Sequence, residues 1–434
     1  MSPLRSYRRL LELVGAPYVA VAFVARVPLA MSQIGTLLLV AAETGSYGAG
    51  GAAAGTLAVA NAVGSPVAGG LADRWGQRPV VLVQALLGAF GLVGIVAGAT
   101  GGASTPALLG VAAFAGLALP QVGPLARVRW RPATADDPQQ HRLVATAFSY
   151  EGAADEASFV LGPTVVGLLA ALLDPAAALL AAAGMLAVFG TAFALHRTAP
   201  RGVGRDRRTA SGPVLTAAVV VVMGAQLSLG ALFGSVQTGT TVLATAAGQP
   251  GAAGLVHALL GIGSVIAAVG YASLPDRIGL PTRLLAAGAG LALLALPLLT
   301  VSSLPGVAVV ILFLGLAVAP SMITSFTLAE RVVPAARVGT AMTLLAGVTG
   351  LGYAAGSAVA GRLADAGEAG SLGSLPGHTA AFSVTVAAAF ASLLVALAGA
   401  RTLRRALEGA AGDEIPATTR RRAEPEACTG ADAR

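Results

Sequence analysis

The stretch GGLADRWGQRP, Gly69–Pro79, decides how the rest of the chain is read. It follows a run built almost wholly from Gly, Ala and Val and leads directly into a second apolar run. An Asp-Arg pair, a glycine and a second arginine in so short an interval read as a tight polar turn joining two apolar helices. The pattern recurs in LPDRIGLPTR, Leu274–Arg283, which again carries Leu-x-Asp-Arg-x-Gly. A second pairing sets LVATAFSYEG, from Leu143, against RVGTAMTLLAG, from Arg337. It aligns Thr146 with Thr340, Gly162 with Gly356 and Gly167 with Gly361. Two repeats in register imply two like units in the same orientation, and such units place a substrate site at their shared interface.

Composition states the solvent. Of 434 residues, 56% are hydrophobic and only 11% charged, against about 25% charged in a soluble domain. Mean hydropathy is +0.79. The 57 glycines are spread through apolar runs, as suits helices that pack backbone to backbone in lipid. The chain therefore reads as an all-α, polytopic membrane protein. Its basic residues are all arginine, and the net charge is +7. In a soluble protein that charge would suggest nucleic acid; here it serves topology, and no nucleic-acid partner is expected. Cys428 is the lone cysteine and the four histidines are scattered, so neither a disulfide nor a metal site is expected. No P-loop, cofactor motif or nucleophile–base pair is present, so the reading is not an enzyme and names no cofactor.

A helix needs about 20 residues to cross the hydrocarbon. Apolar runs between Arg, Asp, Pro and Gly-rich breaks give twelve, centred near Ala25, Val59, Leu92, Ala113, Phe159, Met185, Ala225, Ile262, Leu291, Leu314, Gly350 and Ala391. With twelve spans, every arginine except Arg26 and Arg362 falls on the side of the two termini, in loops that include Arg127, Arg129, Arg131 and Arg142. The positive-inside rule then puts both termini in the cytoplasm of a cell membrane. The expected organisation is a cytoplasmic N-terminus (1–12), a six-helix half (13–196), a cytoplasmic linker (197–212), a second six-helix half (213–405) and a disordered tail (406–434).

EGAADEASFVLGP, Glu151–Pro163, places three carboxylates inside the fifth span. At 1.5 Å per residue, Asp155 lies roughly 18 Å along its helix; Glu151 shares its face, and Glu156 is turned by about 100°. Arg26, at matching depth in the first span, is the candidate partner. A carboxylate at the bilayer centre costs roughly 2.5–3.5 kcal/mol, and such residues usually face a cavity or a partner. The repeat puts Leu345, Thr349 and Gly350 where Glu151, Asp155 and Glu156 stand, so the acids belong to the N-terminal half alone. Arg26, Glu151, Asp155 and Glu156 are the candidates for proton coupling or substrate contact, the alternative being a static buried ion cluster. Asn61, Gln84, Gln226, Gln237 and His257 are lone polar residues in apolar runs and read first as interhelical packing. Pro120, Pro124 and Pro320 are expected to break the fourth and tenth helices.

GGLADRWGQRP resembles the loop 2–3 signature of the major facilitator superfamily through Gly69, Leu71, Ala72, Asp73, Arg74, Gly76 and Arg78, departing at Gln77. In the decayed second copy, Asp276 and Arg277 match, while Ala272 replaces the glycine. FVLGPTVVG resembles the fifth-helix motif of that family's antiporters through Gly162, Pro163 and Gly167. The resemblance, over residues 10 to 405, implies twelve helices in two pseudo-symmetric six-helix halves. It also implies a gate in which Asp73 faces the positive N-terminus of the eleventh helix near Arg337, a term of about 0.3–2 kcal/mol. The overall pattern is most similar to proton-driven exporters of drugs and sugars. The expected function is thus proton-coupled efflux of small amphiphilic compounds by a monomer whose partners are its substrate, protons and the lipid bilayer. An uptake symporter or facilitator for a sugar or other metabolite, and a non-transporting receptor on the same scaffold, are the alternatives.

Overall fold

The computed structural model describes residues 3–201, 213–249, 252–271, 273–275 and 277–413. The linker and tail expected at 197–212 and 406–434 fall largely outside these residues, as does Asp276. Within them every regular element is helical.

A short amphipathic helix, α1 (Pro3–Val14), precedes the bundle. The first span is split into α2 (Ala16–Val24) and α3 (Val27–Thr44), with Arg26 at the joint. Next come α4 (Tyr47–Trp75) and α5 (Gln77–Thr100), then a fourth span split into α6 (Thr105–Ala118) and α7 (Val122–Ala133). The fifth is α8 (Gln140–Leu172). The sixth joins α9 (Pro175–Met185) to α10 (Thr191–Leu195) through a π turn at Leu186–Gly190. The second half holds α11 (Ala217–Ala246), α12 (Ala252–Tyr271), α13 (Leu280–Ala295), α14 (Leu304–Val332), α15 (Val338–Glu368) and α16 (Gly377–Asp413).

Among the described residues, 11 spans are long and apolar enough to cross a membrane by composition. The twelfth is α4, whose 29 residues have the length but are diluted by glycine, Asn61 and Ser65. Span starts are capped where the side chains allow it. Ser46, Asp174, Thr216 and Ser303 each accept a hydrogen bond from the backbone N–H three residues on, satisfying a donor the helix itself leaves open. Small residues bring helices together. Gly230 and Gly234 of α11 lie against the backbone of Thr349 and Tyr353, while Gly352 and Gly356 of α15 lie against Leu227 and Ala231. Two four-residue glycine spacings thus interlock, since in lipid close backbone approach replaces the hydrophobic effect between helices. Large apolar side chains such as Phe90, Leu172 and Leu255 point outward.

The proline expectations divide. The fourth span is broken at Pro120, but α14 runs unbroken through Pro320. The Asn61 amide donates to the carbonyls of Gly116 and Leu119 at 3.0 and 2.8 Å, and Gln121 Nε2 donates to Asn61 Oδ1 at 2.6 Å. Asn61 thereby satisfies carbonyls that the break removes from the helical ladder, a requirement in a medium without water. The two halves pack through α4 on α15, α8 on α12 and α14, and α7 on α15.

Candidate functional site

Two groups of side chains meet between the halves. One is at the end of the bundle rich in arginine, the basic end; the other is deeper.

At the basic end, Asp73 closes α4 directly on the start of α15. Its Oδ1 accepts from Gly339 N–H at 2.9 Å, and its Oδ2 accepts from Thr340 N–H at 2.7 Å and Thr340 Oγ1 at 2.6 Å. These are N-terminal donors with no intrahelical partner, so the charge–dipole contact inferred from the motif is present, with three hydrogen bonds added. Gly69 makes it possible: a Cβ there would lie 2.0 Å from Thr343 Oγ1 and 2.8 Å from the Gly339 carbonyl oxygen. Gly76, with φ of 91°, ends α4 in a conformation that favours glycine. Arg74 lies 5.8 Å over the Trp75 ring, and Arg78 donates to the Leu195 carbonyl at 3.1 Å. Of the second copy, Arg277 is exposed. Two further contacts cross the halves here: Arg131 Nη1 pairs with Glu330 Oε1 at 2.9 Å, and Arg331 meets His141.

Deeper in, α8 holds the acids. Glu151 is fully buried, and its carboxylate is gripped by the Arg26 guanidinium and by Trp130, whose Nε1–H donates at 2.6 Å. Asp155 is shared: Oδ1 takes Arg26 Nη1 at 3.1 Å and Oδ2 faces Arg127 Nη1 at 2.8 Å. The joint between α2 and α3 is where the Arg26 side chain leaves its helix, anchored by its own bond to the Ala22 carbonyl at 3.1 Å. Gly123 leaves room for Asp155, since a Cβ at that position would sit 2.4 Å from Oδ1. Glu151 is the most enclosed of the three acids.

The expectation that one arginine serves these acids is corrected by Arg127. The sequence places that residue and Arg129 in a loop; both instead lie on α7, at most 1% exposed. They resemble a basic loop in sequence because they alternate with Arg131, yet α7 continues the fourth span, and partners on other helices take their charge. Arg129 donates to Gln77 Oε1, the Phe193 carbonyl and Thr198 Oγ1, and lies 3.5 Å over the Phe193 ring. Arg127 faces Asp155 on one side and stacks 4.1 Å over Phe326 of α14 on the other.

Two arginines therefore meet two carboxylates. Glu156 is the third acid: 8% exposed, with no ion pair or side-chain hydrogen bond among the described residues. A buried, unpaired carboxylate is costly unless it holds a proton.

The second half carries no charge at the positions aligned with the acids of α8. Thr349 of α15, aligned with Asp155, accepts a hydrogen bond at its Oγ1 from Gln226 of α11 at 3.3 Å. Gln237 of α11 and Tyr353 of α15 meet further along. Buried polar atoms of Gln226, His257, Ser264, Ser321 and Ser325 lack a hydrogen-bond partner among the described residues. In the antiporter-like motif Gly162 packs on the backbone of Ala30 and Met31, Pro163 lies within α8, and Gly167 faces open space.

The model of the Major Facilitator Superfamily matches residues 19–357. The chain belongs to that superfamily. In fold, this superfamily member is similar to the human organic anion transporter MFSD10 (TETRAN), with 18% identity over 89% of this chain and 99% of that one and a TM-score of 0.63. A bacterial homologue of the iron transporter ferroportin, crystallised in an outward-facing state, has 15% identity over 88% and 98% and a TM-score of 0.63. No curated protein matches. Membership makes the chain a multi-pass membrane transporter with the twelve-helix, two-half fold.

Proposed function

We propose that this transporter is a proton-coupled exporter. It would reside in the cell membrane with both termini in the cytoplasm, act as a monomer and exchange protons for small amphiphilic compounds by alternating access. The observation that carries this reading is the surplus carboxyl group. Arg26 and Arg127 balance Glu151 and Asp155, and Glu156 is left buried beside them without a counter-charge. A mid-membrane carboxyl in excess of its cations can be occupied by a proton or a substrate, but the burial cost disfavours leaving it empty and ionised. Competition for one site is the simplest exchange. The basic end supports alternation: the contacts of Asp73, Arg131 and Arg331 are made only when the halves close there.

The test is retention of a panel of amphiphilic dyes and antibiotics in an efflux-deficient bacterium expressing the wild type or the Asp155→Asn/Glu156→Gln double variant, with and without a protonophore. Lower retention with wild type, abolished by either the variant or the protonophore, is the expected result. Retention lowered equally by wild type and variant refutes the coupling role.

A second reading has one specific support. The guanidinium nitrogens of Arg127 lack an aligned hydrogen bond, and a related fold is that of an organic anion transporter. An anionic substrate facing Arg127 would move with the proton rather than against it, and reversing the imposed pH gradient in vesicles separates the two.

A further inference from the structure

Arg127 and Arg131 are one turn apart on α7, and the residues they meet across the interface, Phe326 and Glu330, are one turn apart on α14. Neighbours at that spacing share a helix face, so α7 and α14 touch through two parallel rungs. The outer rung, Arg131 to Glu330, is a partly exposed ion pair at 2.9 Å. The inner rung is buried, and its cation is also the second partner of Asp155. From this geometry we infer that Arg127 is a positioning residue that couples the charge of Asp155 to closure of the basic end. The inference rests on the proposed reading that the acids of α8 take up a proton.

The physical chain is short. Ionised Asp155 holds Arg26 on one oxygen and Arg127 on the other. That leaves the Arg127 guanidinium over the Phe326 ring, 4.1 Å from its centre, with no other anion in contact among the described residues. A cation stacked on a ring in a dry interface is attracted to it, whereas a buried cation that has lost its anion must find water or another anion. When Asp155 is neutralised, Arg26 still has Glu151, but Arg127 has Phe326 alone. It then leaves the ring, the inner rung opens, and α7 is held to α14 by the outer rung, a weak, partly exposed pair, which lowers the bias toward closure set jointly with the Asp73 contact.

The charged and titratable groups around Asp155 are Arg26 from the first span, Arg127 from α7, and Tyr150, Glu151 and Glu156 from its own helix. On α14, Phe326 is followed one turn later by Glu330, which Arg131 holds. On α12, His257 lies one turn from Gly261, the residue that packs on Val160 and the Glu156 carbonyl. Of these groups, among the described residues, Asp155 alone bridges two cations, so it is the group whose proton changes the inner rung.

The test measures distance rather than transport. Spin labels on Ala135→Cys and Ala335→Cys, both exposed positions at the basic end, are placed in a Cys428→Ser background. Pulsed dipolar spectroscopy is then recorded on the reconstituted full chain from pH 8 to pH 5. Wild type is expected to pass from a short to a longer distance population on acidification. Asp155→Asn is expected to show the longer population at every pH. Phe326→Leu, which keeps bulk but removes the ring, should shift the closed-to-open ratio at pH 8 by roughly thirtyfold, as a desolvated cation–π contact would, and Phe326→Tyr should restore it. A wild-type distribution that does not move with pH overturns the inference, as does an Asp155→Asn variant that still titrates like wild type. So does a Phe326→Leu variant with unchanged populations. If the distances behave as expected but dye retention never responds to a protonophore, the exporter reading fails and the coupling of Asp155 to closure stands.

Discussion

Replacing Asp73 is the sharpest perturbation of the closed basic end. Its carboxylate accepts three hydrogen bonds from the first residues of α15, at 2.9, 2.7 and 2.6 Å. A hydrogen bond to a charged group contributes about 1.5–3 kcal/mol net, and a carboxylate at a helix N-terminus adds up to about 2 kcal/mol when partly buried. These terms overlap, because the same N–H groups make both, and in the open arrangement water satisfies each partner. A net bias of about 3 kcal/mol toward closure follows, or roughly a hundredfold in the equilibrium. Asp73→Ala removes all of it. Asp73→Asn keeps one acceptor oxygen but turns an amide donor toward the Thr340 N–H, so it loses the charge and at least one bond.

The readout is thiol accessibility at Thr343→Cys in a Cys428→Ser background. Thr343 is 1% exposed, beneath Gly69, and a membrane-impermeant maleimide supplied from the basic side reaches it only when the halves part. Labelling tracks the open fraction when opening is fast. It should therefore rise steeply in Asp73→Ala and less in Asp73→Asn. An unchanged rate in Asp73→Ala, with melting behaviour intact, refutes the assignment of closure energy to this contact.

Other consequences are equally direct. Trp130→Phe deprives Glu151 Oε1 of its 2.6 Å donor while keeping an aromatic ring against Tyr18 and Tyr150. An unsatisfied buried acceptor costs about 1–3 kcal/mol, so the melting temperature in detergent should fall; a variant that melts with wild type contradicts the buried bond. Outside the spans, Asp137 is held below the usual carboxylate range first by the Gln139 backbone N–H and then by Arg9 of α1. Because its folded pKa lies below the unfolded value, its contribution is whole above about pH 4 and is lost as pH falls through the depressed value. Hydrogen exchange of α1 should therefore be insensitive to protonation of this residue at pH 5 and gain an acid-dependent step only below about pH 4. That step should disappear in Asp137→Asn.

The contact of Asp73 was legible in the sequence because it is local chemistry at both ends: a carboxylate closing one helix and a helix start after a basic turn. The spans followed from run length and the placement of the arginines, and the matching level of Arg26, Glu151 and Asp155, which meet in the structure, followed from helical rise. Arg127 was not legible. RVRWRP reads as a loop until the break at Pro120 redirects the fourth span. Only then do Asp155, Phe326, Gln77 and Phe193, from four other helices, supply what two buried guanidinium groups need. No window of α7 contains that information. Asn61 illustrates the same limit at smaller scale: its polarity was visible, but its partners at Gly116 and Leu119 exist only because another helix is broken.

In the second half Thr349, which the repeat aligns with Asp155, meets no charge and instead accepts one neutral hydrogen bond from Gln226 at 3.3 Å. A neutral pair does not change with pH, so it can lend polar surface to a ligand but cannot respond to a proton. The charged cluster touches the second half through Phe326, which is apolar. An ionic contact there would tie the halves by a charge of its own; a ring ties them only while Arg127 is held in place, and Asp155 decides that. Under the proposed reading, the asymmetry between the halves would confine proton sensing to one of them and leave the other as the surface against which the result is read.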